Sequence, residues 1–442
     1  MYNFEEIQKN GRDTLQYIIE RKGQYSKTLK YESLKNLVPF DTHIDWKNIE
    51  EAFPHWVQRM KETPQDNFYH SEGDVWTHTK MVVEQLLQSS EFSTLSLFDK
   101  EVMFWSCLFH DISKPSVTCL NPDSGRISSA GHSPMGMQDS RLLMWVAGFD
   151  PVMRENIARI IQHHQKPFVW IKKARDFDIR KISQSVKMSN LVLMAQSDGL
   201  GRKTADIRDY HDIQTNVALF KEACLENDCL NKPWSYDFEN LEARRIYWDS
   251  NGESHESREV FAKEGSEIIF FVGLPASGKD TWISKYGEGK EVLSYDDMKK
   301  SLGLKQSSNY GLAVQKVKER AKELLRNGEP FIWNATHLSP LMRDKNLNLI
   351  RQYLGQVGGT VRIVCFENDI DTLISRNSQR DTSLKDNKIL QMAYGWEVPS
   401  PELGHELLWW KDNKPFYEQF ITSEKDPNSP WLFAKPNQVF KR

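Results

Sequence analysis

A run of five apolar residues, Ile268-Ile-Phe-Phe-Val272, leads directly into Gly273-Leu-Pro-Ala-Ser-Gly278-Lys279 and then into the helix-compatible Asp280-Thr-Trp-Ile. Few local patterns constrain a fold as tightly. Glycines let successive backbone N–H groups close around an anion, and the start of a helix adds partial positive charge. G-x-x-x-x-G-K between a strand and a helix therefore predicts a phosphate-binding loop on an α/β sheet. Gly273, Ser277 and Gly278 would shape the cradle, and Lys279 would set a point charge against the β- and γ-phosphates of ATP. The next position usually carries Ser or Thr as a Mg²⁺ contact. Here it is Asp280, followed by Thr281, so either Asp280 holds a Mg²⁺-bound water or Thr281 takes over.

The pattern around the loop agrees with an α/β unit. EIIFFVG, EVLSYD, PFIWNAT and TVRIVCF are β-rich runs separated by helix-length segments, as in a largely parallel sheet. Ahead of them apolar residues recur at helical spacing: Val102, Trp105 and Phe109; Ile157, Ile160, Ile161 and His164; Leu191, Met194, Ala195 and Asp198. A polar, pattern-poor stretch at 247–266 separates the two regimes. The expected architecture is multidomain, with an all-α helical domain over 1–250 and an α/β P-loop domain over 262–442.

Bulk properties exclude little but exclude it clearly. At 442 residues, with 39% hydrophobic and 27% charged residues and a net charge of −3, the chain has the composition of a globular protein of two or three domains. Nucleic acid would have to bind through local basic patches rather than a global positive field. The five cysteines are scattered and lack the spacing of zinc or redox motifs, which suits a reducing cytoplasm. No apolar run approaches the roughly 20 residues that cross a bilayer, so neither export nor membrane insertion is expected.

After the loop, YDDMKK puts Asp296 and Asp297 at the carboxyl edge of the sheet, where a carboxylate can accept a proton from an attacking hydroxyl. Asp297 is expected to cap the following helix. Arg376 and Arg380 lie one helical turn apart, placed to close over a transferring phosphate as a lid. Together GLPASGKDTW, YDDMKK, WNATHLSPLMR and RNSQR resemble the successive motifs of the polynucleotide 5′-kinase family, over roughly Glu267 to Trp396. The resemblance implies Lys279 as phosphate ligand, Asp296 as general base for a 5′-OH, and Arg376 and Arg380 as the lid pair. It places Lys299 where the family has an acceptor-phosphate Arg, keeping the charge but losing the bidentate fork. Thr336 and Arg343 fall in the motif after the third strand, with Arg343 a candidate phosphate contact.

The first half carries a different set: His78 in HSEGDVWTHT, His110 and Asp111 in HDISKP, His132 in AGHSP, His163 and His164 in IIQHHQKP, and Asp198 in AQSDGLGR. Imidazoles and carboxylates of this kind suit one or two divalent transition metals such as Zn, Fe, Mn, Ni or Co, which can activate water and neutralise a phosphoester. In order and spacing the set resembles the HD phosphohydrolase superfamily. That resemblance implies His78, His110, Asp111 and Asp198 as core ligands, with His132 and one of His163 and His164 completing a second ion; His164 shares the face of Ile157 and Ile160. Lys114 either reaches a substrate phosphate or is an exposed helix lysine. His70 and Glu72 read as turn-shaping residues, with His70 within reach of a phosphate, and Arg202 and Lys203 as either anion contacts or a solvated helix end.

Both halves together resemble a family of bacterial bifunctional end-healing enzymes. The resemblance implies hydrolysis of 2′,3′-cyclic phosphate or 2′/3′-phosphate ends by the first domain and ATP-dependent phosphorylation of 5′-OH ends of RNA or DNA by the second, with a separate ligase as a partner. Two other readings stay open at this level: an HD nucleotidase fused to a small-molecule kinase, and a non-catalytic ATP-gated regulator.

Overall fold

The computed structural model describes residues 14–173, 175–261, 263, 265–304 and 310–416. The chain divides into two compact units, and the division falls between Trp234 and Ser235, ahead of the 247–266 stretch. Among the described residues no helix is long and apolar enough to cross a membrane.

The first unit is helical, with one two-stranded antiparallel hairpin, β1 (Cys119–Leu120) and β2 (Ile127–Ser128). Five helices carry its candidate site: α1 (Val75–Gln88), α2 (Leu97–Phe109), α3 (His132–Val146), α4 (Pro151–His163) and α5 (Met188–Leu200). Three of them start at a side-chain cap. Asp74 accepts from Thr77 N, Ser96 from Asp99 N, and Asp150 from Val152 N ahead of Pro151; such a cap is worth about 1 kcal/mol. Val82, Val83, Leu86, Val102, Met103, Trp105, Ile157, Ile161, Leu191 and Met194 are all fully buried, and each contributes roughly 1.5–3 kcal/mol by leaving water. The helical periodicity in the sequence thus becomes one apolar core, with the helix ends gathered around the polar cluster described below.

The second unit contains a six-stranded sheet in the order β4-β5-β3-β6-β7-β8. Its strands are β3 (Ser266–Gly273), β4 (Glu291–Ser294), β5 (Phe331–Asn334), β6 (Gly359–Glu367), β7 (Glu406–Lys411) and β8 (Lys414–Pro415). All pairs are parallel except β7–β8. Ile268 to Val272 in β3 are buried throughout, as a central parallel strand covered on both faces must be. After β3 the chain fills the β4–β5 side, then crosses to β6 and β7. The crevice of this topological switch opens at the carboxyl end of β3, where the glycine loop stands.

Two sequence expectations change here. EVLSYD is a strand only to Ser294, because the Ser294 side chain accepts from Asp297 N and starts the next helix, Tyr295–Ser301. The tryptophan-rich ELLWWK, which the sequence leaves open between core and acceptor surface, is the inner strand β7: Leu408 and Trp410 pack in the core with Phe271, Trp282, Ile332 and Phe366. The aromatic segment from Tyr417 onward lies outside the described residues.

Candidate functional site

The helix ends of the first unit bring six of the sequence-predicted ligands together. His78 stands in the first turns of α1, His110 caps the C-terminus of α2 with Asp111 next to it, His132 opens α3, His164 caps α4, and Asp198 lies on α5. They form two groups, His78 with His110 and Asp198, and Asp111 with His132 and His164. Within each, the donor atoms lie within 4.8 Å of one another. Asp111 joins the groups. Its Oδ2 is 3.1 Å from His110 Nε2 and 3.7 Å from His78 Nε2, while its Oδ1 is 3.4 Å from His132 Nε2. His78 Nε2 is 3.2 Å from Asp198 Oδ1.

Hydrogen bonds on the far side of each ring set the tautomers. His110 Nδ1 lies 2.7 Å from Cys107 O, His132 Nδ1 2.8 Å from Ser129 O, His164 Nδ1 2.7 Å from Ile161 O, and His78 Nδ1 3.2 Å from Gly201 O. A carbonyl only accepts, so each Nδ1 carries the proton and each Nε2 presents a lone pair inward. Yet His78 and His110 Nε2 are 3.4 Å apart, and His132 and His164 Nε2 are 3.2 Å apart. Paired lone pairs at that distance repel unless a proton or a metal ion lies between them. Both Asp111 oxygens and Asp198 Oδ2 are buried without a well-aligned hydrogen bond, although Lys114 Nζ is 2.7 Å from Asp111 Oδ2. Burial, reinforced by His132 and His110, pulls His164 down to about 3, leaving it neutral and able to ligate. Against the cost of burial, Lys114 helps keep the Asp111 carboxyl well below the usual range. The donor set fits one or two divalent cations, and Asp111 stands within reach of both ligand groups.

Close helix approach makes this geometry available. A Cβ on Gly201 would lie 2.7 Å from Val82 Cα, so only glycine lets the end of α5 rest against α1 and hold Asp198 beside His78. His163 is not in either group; successive helical residues point about 100° apart, and the face that joins the cluster is that of His164. Lys114 is 7% exposed and also donates to Gln65 Oε1 at 2.6 Å, which rules out the exposed-lysine reading. Glu72 does more than shape a turn. Its Oε1 lies 3.1 Å from His78 Nδ1 and 2.8 Å from His70 Nδ1, and its Oε2 accepts from Lys203 N. Arg202 pairs with Asp198 at 2.8 Å. Gln65 was not anticipated, and nothing in its neighbourhood of the sequence singles it out.

In the second unit a cavity of about 640 Å³ opens over the glycine loop. Pro275 to Thr281, Asp296, Lys299, Thr336, Arg376 and Arg380 are among the residues that line it. The loop itself requires its glycines: Gly278 has φ +98°, and a Cβ on Gly273 would meet Phe366 Cβ at 2.9 Å. Lys279, at the start of α6 (Lys279–Tyr286), folds back to donate to Leu274 O at 2.6 Å and Gly273 O at 3.1 Å. Burial draws its amine down to about 8, with Arg380 adding to the effect and Asp280 and Asp296 opposing it. Asp280 Oδ1 accepts from Asn334 Nδ2 at 3.2 Å. Asp280 and Thr281, both exposed beside the loop, are the residues that would hold Mg²⁺ alongside the ATP phosphates.

Asp296 is exposed in the first turn of α7 (Tyr295–Ser301) and faces the cavity. Asp297 also lines it but is not the helix cap; that role falls to Ser294, and Asp297 pairs loosely with Lys300 at 3.8 Å. Arg343, in α8 (Pro340–Val357), is corrected as a phosphate contact. It is 3% exposed, and its Nη1 donates to the carbonyls of His337, Leu338 and Glu397. On α9 (Ile370–Ser378) Arg376 donates to Asn368 Oδ1 at 2.9 Å and pairs with Asp412 at 3.1 Å, while Asn368 Nδ2 holds Ser277 O at 3.0 Å. The lid arginine is thus coupled to the loop through one asparagine. Neither Asn368 nor the β7–β8 turn, which brings Asp412 to Arg376 and Asn413 to the cavity, was foreseen from sequence.

The AAA domain family matches residues 268–399, which include the loop, Asp296 and both lid arginines. Among solved structures, a provisionally assigned kinase from Chloroflexus aurantiacus J-10-fl is similar over 38% of this chain and 95% of its own, at 19% identity and a TM-score of 0.28. No curated protein matches the chain.

Proposed function

We propose that the chain heals nucleic-acid ends. In this reading the first unit hydrolyses 2′,3′-cyclic phosphate or terminal 2′/3′-phosphate, and the second transfers the γ-phosphate of ATP to a 5′-OH of RNA or DNA. The observation that carries the reading is the meeting of Asp296, Lys279, Arg376 and Arg380 in one cavity, in a chain whose other unit gathers four histidines around Asp111. One site has the parts to add phosphate and the other to remove it.

In the cavity Asp296 takes the proton of the 5′-OH as it attacks in line, and Lys279, Arg376 and Arg380 spread the charge that develops on the transferring group. Lys279 must exchange its loop carbonyls for phosphate oxygens as ATP enters. In the first unit, His78, His110, Asp111 and Asp198 would hold one divalent ion, and Asp111, His132 and His164 a second. Such ions supply Lewis acidity and an activated water. Lys114 offers a protonated amine to a non-bridging phosphate oxygen, and Arg202 restrains Asp198. Ends left by ribonuclease-type cleavage are the reverse of what a ligase joins, so a separate ligase is the partner class this activity serves.

The deciding experiment supplies the protein with ATP, Mg²⁺ and a transition metal on an RNA oligonucleotide that carries 5′-OH and 2′,3′-cyclic phosphate ends. Mass measurement of both ends is expected to show a gained 5′-phosphate and an opened or removed cyclic phosphate. Unchanged ends with turnover of free nucleotides would replace end healing by nucleotide metabolism.

A further inference from the structure

Strand order lays the groups of the second unit along one edge of the sheet. Moving inward from β4, the segments that follow the strands are α7, the turn after β5, the glycine loop and α9. Neighbouring strands stand about 4.8 Å apart, so Asp296 lies roughly two strand spacings from the loop. An acceptor with its hydroxyl at Asp296 must send the rest of itself outward, away from the loop. Packed against α7, the helix that carries Asp296, is Tyr310, which lines the same cavity. Its ring centroid is 6.0 Å from that of Tyr295, Lys299 Nζ stands 5.7 Å over its ring, and 48% of its surface is in water.

We propose that Tyr310 is a stacking platform for the 5′-terminal nucleobase of the acceptor strand. The inference rests on the end-healing reading and adds to it the part of the substrate that the α7 side of the cavity would hold. A base is one ribose away from the 5′-OH that Asp296 engages. Every base has a π face, so a tyrosine ring attracts any of them without reading sequence, which suits an enzyme that must accept whatever end a break leaves. Small-molecule sites enclose most of their ligand. A half-exposed ring at an open mouth instead lets a strand continue past the site.

The test compares the wild-type protein with Tyr310→Ala and Tyr310→Phe on two 5′-OH oligonucleotides, identical except that one lacks its terminal base. Stacking is expected to raise the KM of Tyr310→Ala for the base-bearing strand about tenfold, leave Tyr310→Phe near wild type, and confine the loss to the strand that has the base. The KM for ATP should not move. Equal loss in both variants would assign the effect to the hydroxyl and overturn stacking, as would equal loss on the abasic strand or no loss at all. A wild-type protein that phosphorylates neither strand would overturn the end-healing reading and the platform together, a result distinct from the other three.

Discussion

His78, His110, Asp111, His164 and Asp198 are all at most 1% exposed in the histidine cluster of the first unit, and the free nitrogen of each imidazole is aimed by a hydrogen bond on the other side of its ring. In the loop cavity of the second unit, Asp296 stands in water and the side chain of Arg376 is 35% exposed. On the proposed reading, the contrast follows from what each site would hold. An ion is small and spherical, so its ligands can be set in place by the packing of five helices before it arrives. A triphosphate and a second substrate are large and must enter and leave. Their contacts therefore come from several strand ends and would reach final geometry only around the substrate, as Lys279 would on giving up Leu274 O.

Single substitutions at the two centres should break this comparison most sharply. Asp111→Ala removes the bridge between the two ligand groups and is expected to abolish both bound metal, measured by elemental analysis of the purified chain, and phosphoesterase activity, while phosphorylation continues. Asp296→Ala is expected to lower phosphorylation about 10²–10⁴-fold, the usual worth of a positioned base, with phosphate removal intact. If each variant, folded by circular dichroism, loses both activities, the two sites are not independent and the division of labour argued above fails.

A smaller effect tests how far the first site is preset. Glu72 touches no ion in the proposed arrangement, yet it accepts from His78 Nδ1 and ties the loop at Lys203 to it. Outer carboxylates of this kind are worth about 10–100-fold in metal affinity. Glu72→Ala should weaken Co²⁺ binding by that factor and shift the visible spectrum of the bound ion, and Glu72→Gln, which can still accept from His78, should recover part of both. Unchanged affinity and spectrum in Glu72→Ala would mean that Gly201 O alone orients the ring.

How much of this was legible beforehand depended on whether the information was local. The glycine loop, the helical spacing and the order of histidines and aspartates are short-range patterns, and the structure gathers the residues they single out. The choice of His164 over His163 was legible only as a local lean, from the face it shares with Ile157 and Ile160, and the cluster contains His164. Choices that depend on distant backbone were not legible. Arg343 looked like a phosphate contact because it falls in the motif after the third strand that resembles the kinase family, whereas here it meets three carbonyls, one of them from Glu397. Lys114 could not be placed without Gln65, and β7 was hidden because its apolar run is short and rich in tryptophan, with no alternation to mark it.

The smallest expected effect concerns proton coupling, and it distinguishes the two sites again. In the nucleotide-free cavity burial brings the Lys279 amine to about 8, whereas a phosphate anion beside it favours the charged form and raises that value. The sign follows from linkage. Below pH 8 the amine is already protonated, and ATP affinity should be flat. Above pH 8 the free protein has lost the proton and must take one up as ATP binds, so affinity should fall about tenfold per pH unit until the bound-state value is reached. ATP titrations by calorimetry in buffers of different ionisation enthalpy should show close to one proton taken up at pH 9 and almost none at pH 7. Lys279→Arg, which stays charged throughout, should remove the slope whatever it does to the absolute affinity. A wild-type slope that persists in that variant would place the titrating group elsewhere, and the folded-back lysine would then be charged at every pH tested.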